Sequence, residues 1–160
     1  AVYFARAMPW LQWQASDVAE HLPGISAWLD AEQLPNTPEP LALDVLAPWP
    51  PVQADAVFTA NTLHIMGWKG VQAFFAGVGR LLAGVPDGTL VAYGPFNYKG
   101  AYTSESNREF DGWLQARDPQ SGIRDFEAVD ALAAGAGMQL VQDVAMPANN
   151  RCLVWRRVQP

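Results

Sequence analysis

Residues 54–68 read ADAVFTANTLHIMGW, and the fold turns on this stretch. Ala54, Ala56, Val57 and Phe58 form an apolar run of strand length. Thr59, Asn61, Thr62 and His64 then make it polar before Ile65, Met66 and Trp68 follow. A strand that ends in an amide and an imidazole leaves its core at a place where polar groups are used. From residue 68 to 82 the period becomes helical, with Val71, Phe74, Phe75, Val78, Leu81 and Leu82 on one face. Asp87-Gly88 turns the chain into TLVAYGPF, an apolar strand closed by Gly94-Pro95. Strand, helix and strand in this order form a crossover unit, so the two strands are expected to run parallel.

The same alternation extends in both directions. LQWQASD (11–17) reads as a short strand ending in an acid. Residues 25–34 read as a helix, with Ile25, Trp28, Leu29 and Gln33 at helical spacing after Pro23-Gly24. PNTPEP is a loop, and LALDV is a strand ending in Asp44 and Val45. Pro48, Pro50 and Pro51 keep 47–53 irregular. On the other side, 106–116 reads as a helix carrying Phe110, Trp113 and Leu114, and 125–136 as another carrying Phe126, Val129 and Leu132. MQLVQDVAMP and NRCLVWRRV alternate as two strands joined at Ala148-Asn149-Asn150, a hairpin. The fold class that follows is α/β: a doubly wound, mostly parallel Rossmann-like sheet with an antiparallel C-terminal hairpin.

Composition narrows the function. The 160 residues fit one domain, 1–160, and half of them are apolar, which is enough for a sizeable core. A net charge of -6 argues against a nucleic-acid partner, because phosphate binding needs a concentrated basic face. No apolar run reaches the length of a membrane span. Cys152 is the single cysteine, so an internal disulfide is excluded, and it reads as a small core residue. No His, Cys or carboxylate cluster has the spacing of a metal site, so no metal is expected. A cytoplasmic protein with a small-molecule partner is the expectation, and association with a second copy stays open. The seven tryptophans lie on separate elements and read as core and helix-packing residues.

In an open parallel sheet the ligand lies beyond the carboxyl ends of the strands. Asp17, Asp44, Asn61 to His64 and Tyr93 to Asn97 all fall at such ends. A carboxylate accepts hydrogen bonds only, which suits the paired hydroxyls of a ribose. Each Asp also reads as the cap of the turn that follows it.

WQASD, LALDV, ADAVFTANTLHIM and GTLVAYGPF, continued by TSESNREFD, GIRDFE and MPANNRCLVW, resemble the class I S-adenosylmethionine-dependent methyltransferases. Within them they are most similar to a small family of methyltransferase-like proteins that carry a domain of unknown function. The resemblance implies S-adenosylmethionine as cofactor and methyl transfer to a small molecule. It implies that Asp17 holds the ribose hydroxyls, that Asp44 and Val45 line the adenine pocket, and that Asn61 and Leu63 lie around the methionine part. His64 follows Leu63 as in the leucine-histidine pairs of many relatives. It reads either as a general base for the methyl acceptor or as a residue that shapes the pocket wall. Tyr93, Pro95, Phe96 and Asn97 are expected in the acceptor pocket, with Tyr102, Asn107 and Arg124 over it. Arg124 reads as a partner for an acidic substrate or for Asp125 beside it.

The glycine-rich loop of that superfamily is absent from these residues. The chain also opens inside a helical pattern, AVYFARAMP, without a cap. The first strand of the superfamily is therefore expected upstream of Ala1, between the strands ending at Asp17 and Asn61, and these residues alone are expected to bind cofactor poorly and to be inactive. Two other readings remain: a catalytically silent binding or interaction module of the same fold, and a nicotinamide-dependent oxidoreductase. The terminal hairpin and the LALDV position fit the oxidoreductase less well.

Overall fold

The prolines at 48, 50 and 51 mark a boundary. In the computed structural model, which describes residues 1–158, the chain divides after Pro51 into two compact units. The first holds helix α1 (Val2–Ala7), strand β1 (Ser16–Asp17), helix α2 (Leu22–Glu32) and strand β2 (Leu41–Ala42). α2 begins three residues earlier than its apolar spacing suggests, because Pro23 in a first turn sacrifices no helical hydrogen bond. It ends at Gln33 in the left-handed conformation (φ 48°). β1 and β2 run parallel and are much shorter than the predicted 11–17 and 41–45. The segment before β1 is tied to the loop instead: the Trp13 backbone N–H donates to Asn36 O at 2.8 Å, and the Gln14 side-chain Nε2 donates to Glu39 O at 2.6 Å.

The second unit carries the main sheet. Its strands are β3 (Ala56–Ala60), β4 (Thr89–Gly94), β7 (Met138–Met146) and β8 (Asn150–Arg157), in the order β3-β4-β8-β7. β3 and β4 are parallel in register from Ala56↔Thr89 to Ala60↔Tyr93, with α3 (Trp68–Leu81) as their crossover. β8 is antiparallel to both β4 and β7, as the hairpin pattern predicts. A small parallel pair, β5 (Phe96–Asn97) with β6 (Arg124–Asp125), brackets helix α4 (Glu105–Arg117), and α5 (Phe126–Gly135) follows β6. Among the described residues, three of the five strand pairings are parallel.

Among the described residues β3 stands at one end of the sheet order, and Phe58 is 40% exposed. The strands ending at Asp17 and Asn61 belong to different sheets and do not pair with one another.

Leu90 and Ala92 of β4, Leu153 and Trp155 of β8, and Val71, Phe75 and Val78 of α3 form the core, each almost wholly buried. Trp155 meets the edge of Phe75 with ring centroids 5.9 Å apart, and its Nε1–H donates to Asp130 Oδ1 at 2.8 Å. The other tryptophans do not behave as the sequence suggests. Trp10, in the turn after α1, is exposed, and so are Trp28, Trp68 and Trp113, since the helices that carry these three bury other faces. α2 buries Leu29 alone, whereas α4 buries Asn107, Asp111 and Leu114.

α4 begins at Ser104, whose hydroxyl accepts from the Asn107 N–H at 3.1 Å and satisfies one of the free donors of the first turn. Ser104→Ala is expected to lower unfolding free energy by about 1 kcal/mol in urea titration, while Ser104→Asp retains most of it. No described helix is long and apolar enough to cross a membrane.

Candidate active site

β3 ends at Asn61, which takes a left-handed backbone (φ 55°) that Asn tolerates better than most residues. Its N–H still extends the ladder by donating to Tyr93 O at 2.8 Å. One turn follows, in which the Ile65 and Met66 N–H groups donate to Thr62 O at 3.2 and 3.3 Å. Gly67, in extended conformation, then ends the turn and caps α3. His64 rides on this turn and is 6% exposed.

The imidazole meets Phe110 of α4 edge to face, with ring centroids 5.3 Å apart. A Cβ placed on Gly94 would sit 3.7 Å from His64 Nδ1 and 3.6 Å from Asn61 Oδ1. The bare glycine at the end of β4 is thus the point on which the amide and the imidazole converge. Neither ring nitrogen of His64 has a hydrogen-bond partner among the described residues. Burial holds its pKa below the ordinary 6.5, and the positive charge of Arg124 pushes the same way. The ring is therefore neutral near pH 7, with a lone pair able to take a proton.

Arg124 is placed differently from the expectation of a substrate contact. Its Nε donates to Leu63 O at 3.1 Å, and Nη2 donates to Met66 O and to Gln120 O, the latter at 2.9 Å. Its neighbour Asp125 forms no ion pair with it among the described residues. The carboxylate whose charge bears on the guanidinium is Asp111.

The remaining acceptor-pocket candidates divide between structure and site. Phe96 is 2% exposed and belongs to the core, not to an open pocket wall. Pro95 is buried beside it, and the Tyr93 hydroxyl accepts from Asn150 Nδ2 at 3.2 Å. Asn107 is buried, and its Nδ2 donates to Thr103 Oγ1 at 2.9 Å and to Asn149 O at 3.2 Å, so it ties α4 to the hairpin. Tyr102 donates to Asp111 Oδ2 at 2.7 Å. Asn97 is the exception: its Oδ1 is buried without a hydrogen-bond partner among the described residues. A buried acceptor in that condition costs stability unless a donor reaches it.

Sequence reasoning missed Asp111, which is 4% exposed and also accepts from the Ile123 N–H at 2.6 Å and from Gln115 Nε2 at 2.8 Å. The signal was present in the spacing of Asn107, Asp111 and Leu114, which puts two polar residues on the buried stripe of one helix.

In the first unit both strand-end acids cap local turns with one oxygen. Asp17 Oδ1 accepts from the Val18 N–H at 2.8 Å and lies 3.0 Å from His21 Nδ1, while Asp44 Oδ1 accepts from the Leu46 N–H at 2.9 Å. Both residues are exposed, and the Oδ2 of each has no partner among the described residues. That leaves acceptor capacity for hydroxyl donors, as a ribose offers. Val45, half-buried, follows Asp44.

Comparison with solved structures defines the fold. An O-methyltransferase family protein from Burkholderia thailandensis superposes with a TM-score of 0.85 at 15% identity, over 98% of this chain and 46% of the other. The S-adenosylmethionine-dependent methyltransferase SibL matches with 0.82 at 19% identity, over 99% and 47%. CalO1, a methyltransferase in calicheamicin biosynthesis solved with SAH bound, matches with 0.76 at 20%, over 98% and 45%. The fold is therefore that of the class I methyltransferases, and the chain spans about half the length of these structures. The family model described as protein of unknown function (DUF938) matches residues 1–157, and the chain belongs to that family.

Proposed function

We propose that this chain is part of an S-adenosylmethionine-dependent methyltransferase acting on a small molecule, with His64 as the general base. The observation that carries this reading is the imidazole itself: buried, neutral, and without a hydrogen-bond partner where Asn61 and Gly94 meet. A structural histidine normally spends its ring nitrogens on neighbours. The methyltransferase fold supports the choice of reaction class.

S-adenosylmethionine would supply a methyl group made electrophilic by its sulfonium centre. The free Oδ2 atoms of Asp17 and Asp44 fit such a cofactor, and Asp17 is assigned to the ribose hydroxyls. Asp44 with Val45 is assigned to the adenine, and Asn61 with Leu63 to the methionine part. His64 would take the proton that the acceptor's hydroxyl or amine gives up as that atom displaces the thioether from the methyl carbon. Asn97 Oδ1, buried without a partner among the described residues, would accept a hydrogen bond from a donor on the acceptor molecule. The -6 charge favours a neutral or cationic acceptor over a nucleic acid.

The reading is tested by transfer of a labelled methyl group from S-adenosylmethionine to a panel of small hydroxyl and amine acceptors, with the protein at its natural full length. Asp17→Ala is expected to weaken cofactor affinity about tenfold or more, consistent with the loss of a charge-assisted hydrogen bond. Cofactor binding without turnover on any acceptor would favour a silent binding module instead.

A further inference from the structure

The turn that carries His64 cannot satisfy its own backbone. It is a single turn, and because Gly67 leaves it extended, the carbonyls of Leu63, His64, Ile65 and Met66 have no helical N–H ahead of them. Leu63 and His64 are buried, so water is a poor substitute there. All four carbonyls are taken by one short segment that follows α4 in the chain. Leu63 O accepts from Arg124 Nε at 3.1 Å, and His64 O from the Gly122 N–H at 2.8 Å. Ile65 O accepts from Ser121 Oγ at 3.1 Å, and Met66 O from Arg124 Nη2. Four successive acceptors thus meet donors from three residues within a stretch of four.

That segment is itself held by hydrogen bonds. Asp111, buried on α4, accepts from the Ile123 N–H at 2.6 Å. Asp118 Oδ1 accepts from the Gln120 N–H at 2.9 Å, and Arg124 Nη2 reaches back to Gln120 O. The fit is tight at Gly122, where an added Cβ would lie 3.1 Å from Asp111 Oδ1.

We infer that residues 121–124 are a template that positions the imidazole of His64, and that Arg124 is its principal positioning residue through a two-pronged hold on the Leu63 and Met66 carbonyls. Arg suits this work because its planar fork presents donors in fixed directions, whereas Lys offers one compact charge. The charged groups bearing on the site are Arg124 on β6, which acts on the imidazole directly, and Asp111 on α4, whose carboxylate supports Arg124. The kinetic consequence rests on the proposed role of His64; the positional one does not.

The chain has two histidines, so both rings can be followed separately by proton–carbon NMR. Arg124→Lys is expected to shift and broaden the His64 ring signals, to leave those of His21 unchanged, and to speed exchange of the Gly122 amide about tenfold or more. Ser121→Ala should do the same to a smaller degree, and serves if Arg124→Lys fails to fold. Arg124→Gln, which also removes the charge, should raise the His64 titration midpoint. In an active enzyme Arg124→Lys should lower kcat about tenfold or more with KM unchanged, since small misplacements are costly in rate. Altered His64 signals in a protein without methyl transfer would support the template and tell against the catalytic reading alone. Unchanged His64 signals and Gly122 exchange in the folded variants would overturn the template. So would a rise in KM alone, which would return Arg124 to the acceptor.

Discussion

Trp155→Ala is expected to cost about 3–5 kcal/mol of unfolding free energy, as removal of a large buried aromatic generally does. The side chain has no exposed surface and lies on β8, the strand flanked by both β4 and β7. Its register partners are Leu90 and Leu140, and its ring meets the edge of Phe75 on α3. Removing it opens a cavity between the sheet and that helix, which neighbours anchored in two strand ladders cannot collapse to fill. It also takes the indole donor from Asp130 Oδ1 on α5. Trp155→Phe separates the two contributions: it keeps most of the volume and should cost only about 1–3 kcal/mol, the range for a lost hydrogen bond to a charged group plus a small void. Urea denaturation followed by two probes checks both values. A loss near 1 kcal/mol in Trp155→Ala would mean that the sheet does not depend on this packing.

His64→Gln is expected to lower the methyl-transfer rate constant by about 10²–10⁴, the usual contribution of a general base. Cofactor affinity should hardly change, because the role assigned to the ring is toward the acceptor. The pH dependence has a definite sign. Burial and the charge of Arg124 depress the pKa below 6.5, so the free base is fully present above about that pH and is lost as pH falls through the lowered value. The acid limb of the rate profile should vanish in the variant. Stability should show the same window: the unfolded chain binds a proton at ordinary imidazole pH and the folded chain resists it, so stability is level above about 6.5 and falls below. His64→Gln should remove that part of the decline. A loss of less than about tenfold with the acid limb intact would assign the proton transfer elsewhere.

Much of the second unit was legible because its elements are long enough to show a period. The change from strand to helix across residues 54–82, the return at Thr89, and the alternation of β7 and β8 each extend over five residues or more. β5 and β6 escaped because two residues carry no period, and their pairing depends on the path of α4 between them. The same applies to β1 and β2, where isolated apolar residues suggested longer strands than the loop hydrogen bonds allow.

Polarity that broke an apolar run pointed to Asn61 and His64, and the structure brings the two side chains together at Gly94. The candidate site was illegible at Arg124, because a guanidinium serves a carboxylate or a row of carbonyls equally well, and only geometry distinguishes them. Asp111 was not singled out in the sequence, and its three donors place it inside. Phe96 was named for a pocket on the strength of its position after a strand, and the core claimed it. Polar strand ends thus mark where chemistry is possible, while the hydrogen-bond accounting decides which residues remain free for it.

The most direct test of the central reading is calorimetric titration of the protein at its natural full length with S-adenosylmethionine and, separately, with a nicotinamide dinucleotide. Saturable binding of S-adenosylmethionine, weakened in Asp17→Ala, and no binding of the dinucleotide is the expected result. Binding of neither, or of the dinucleotide alone, would contradict it.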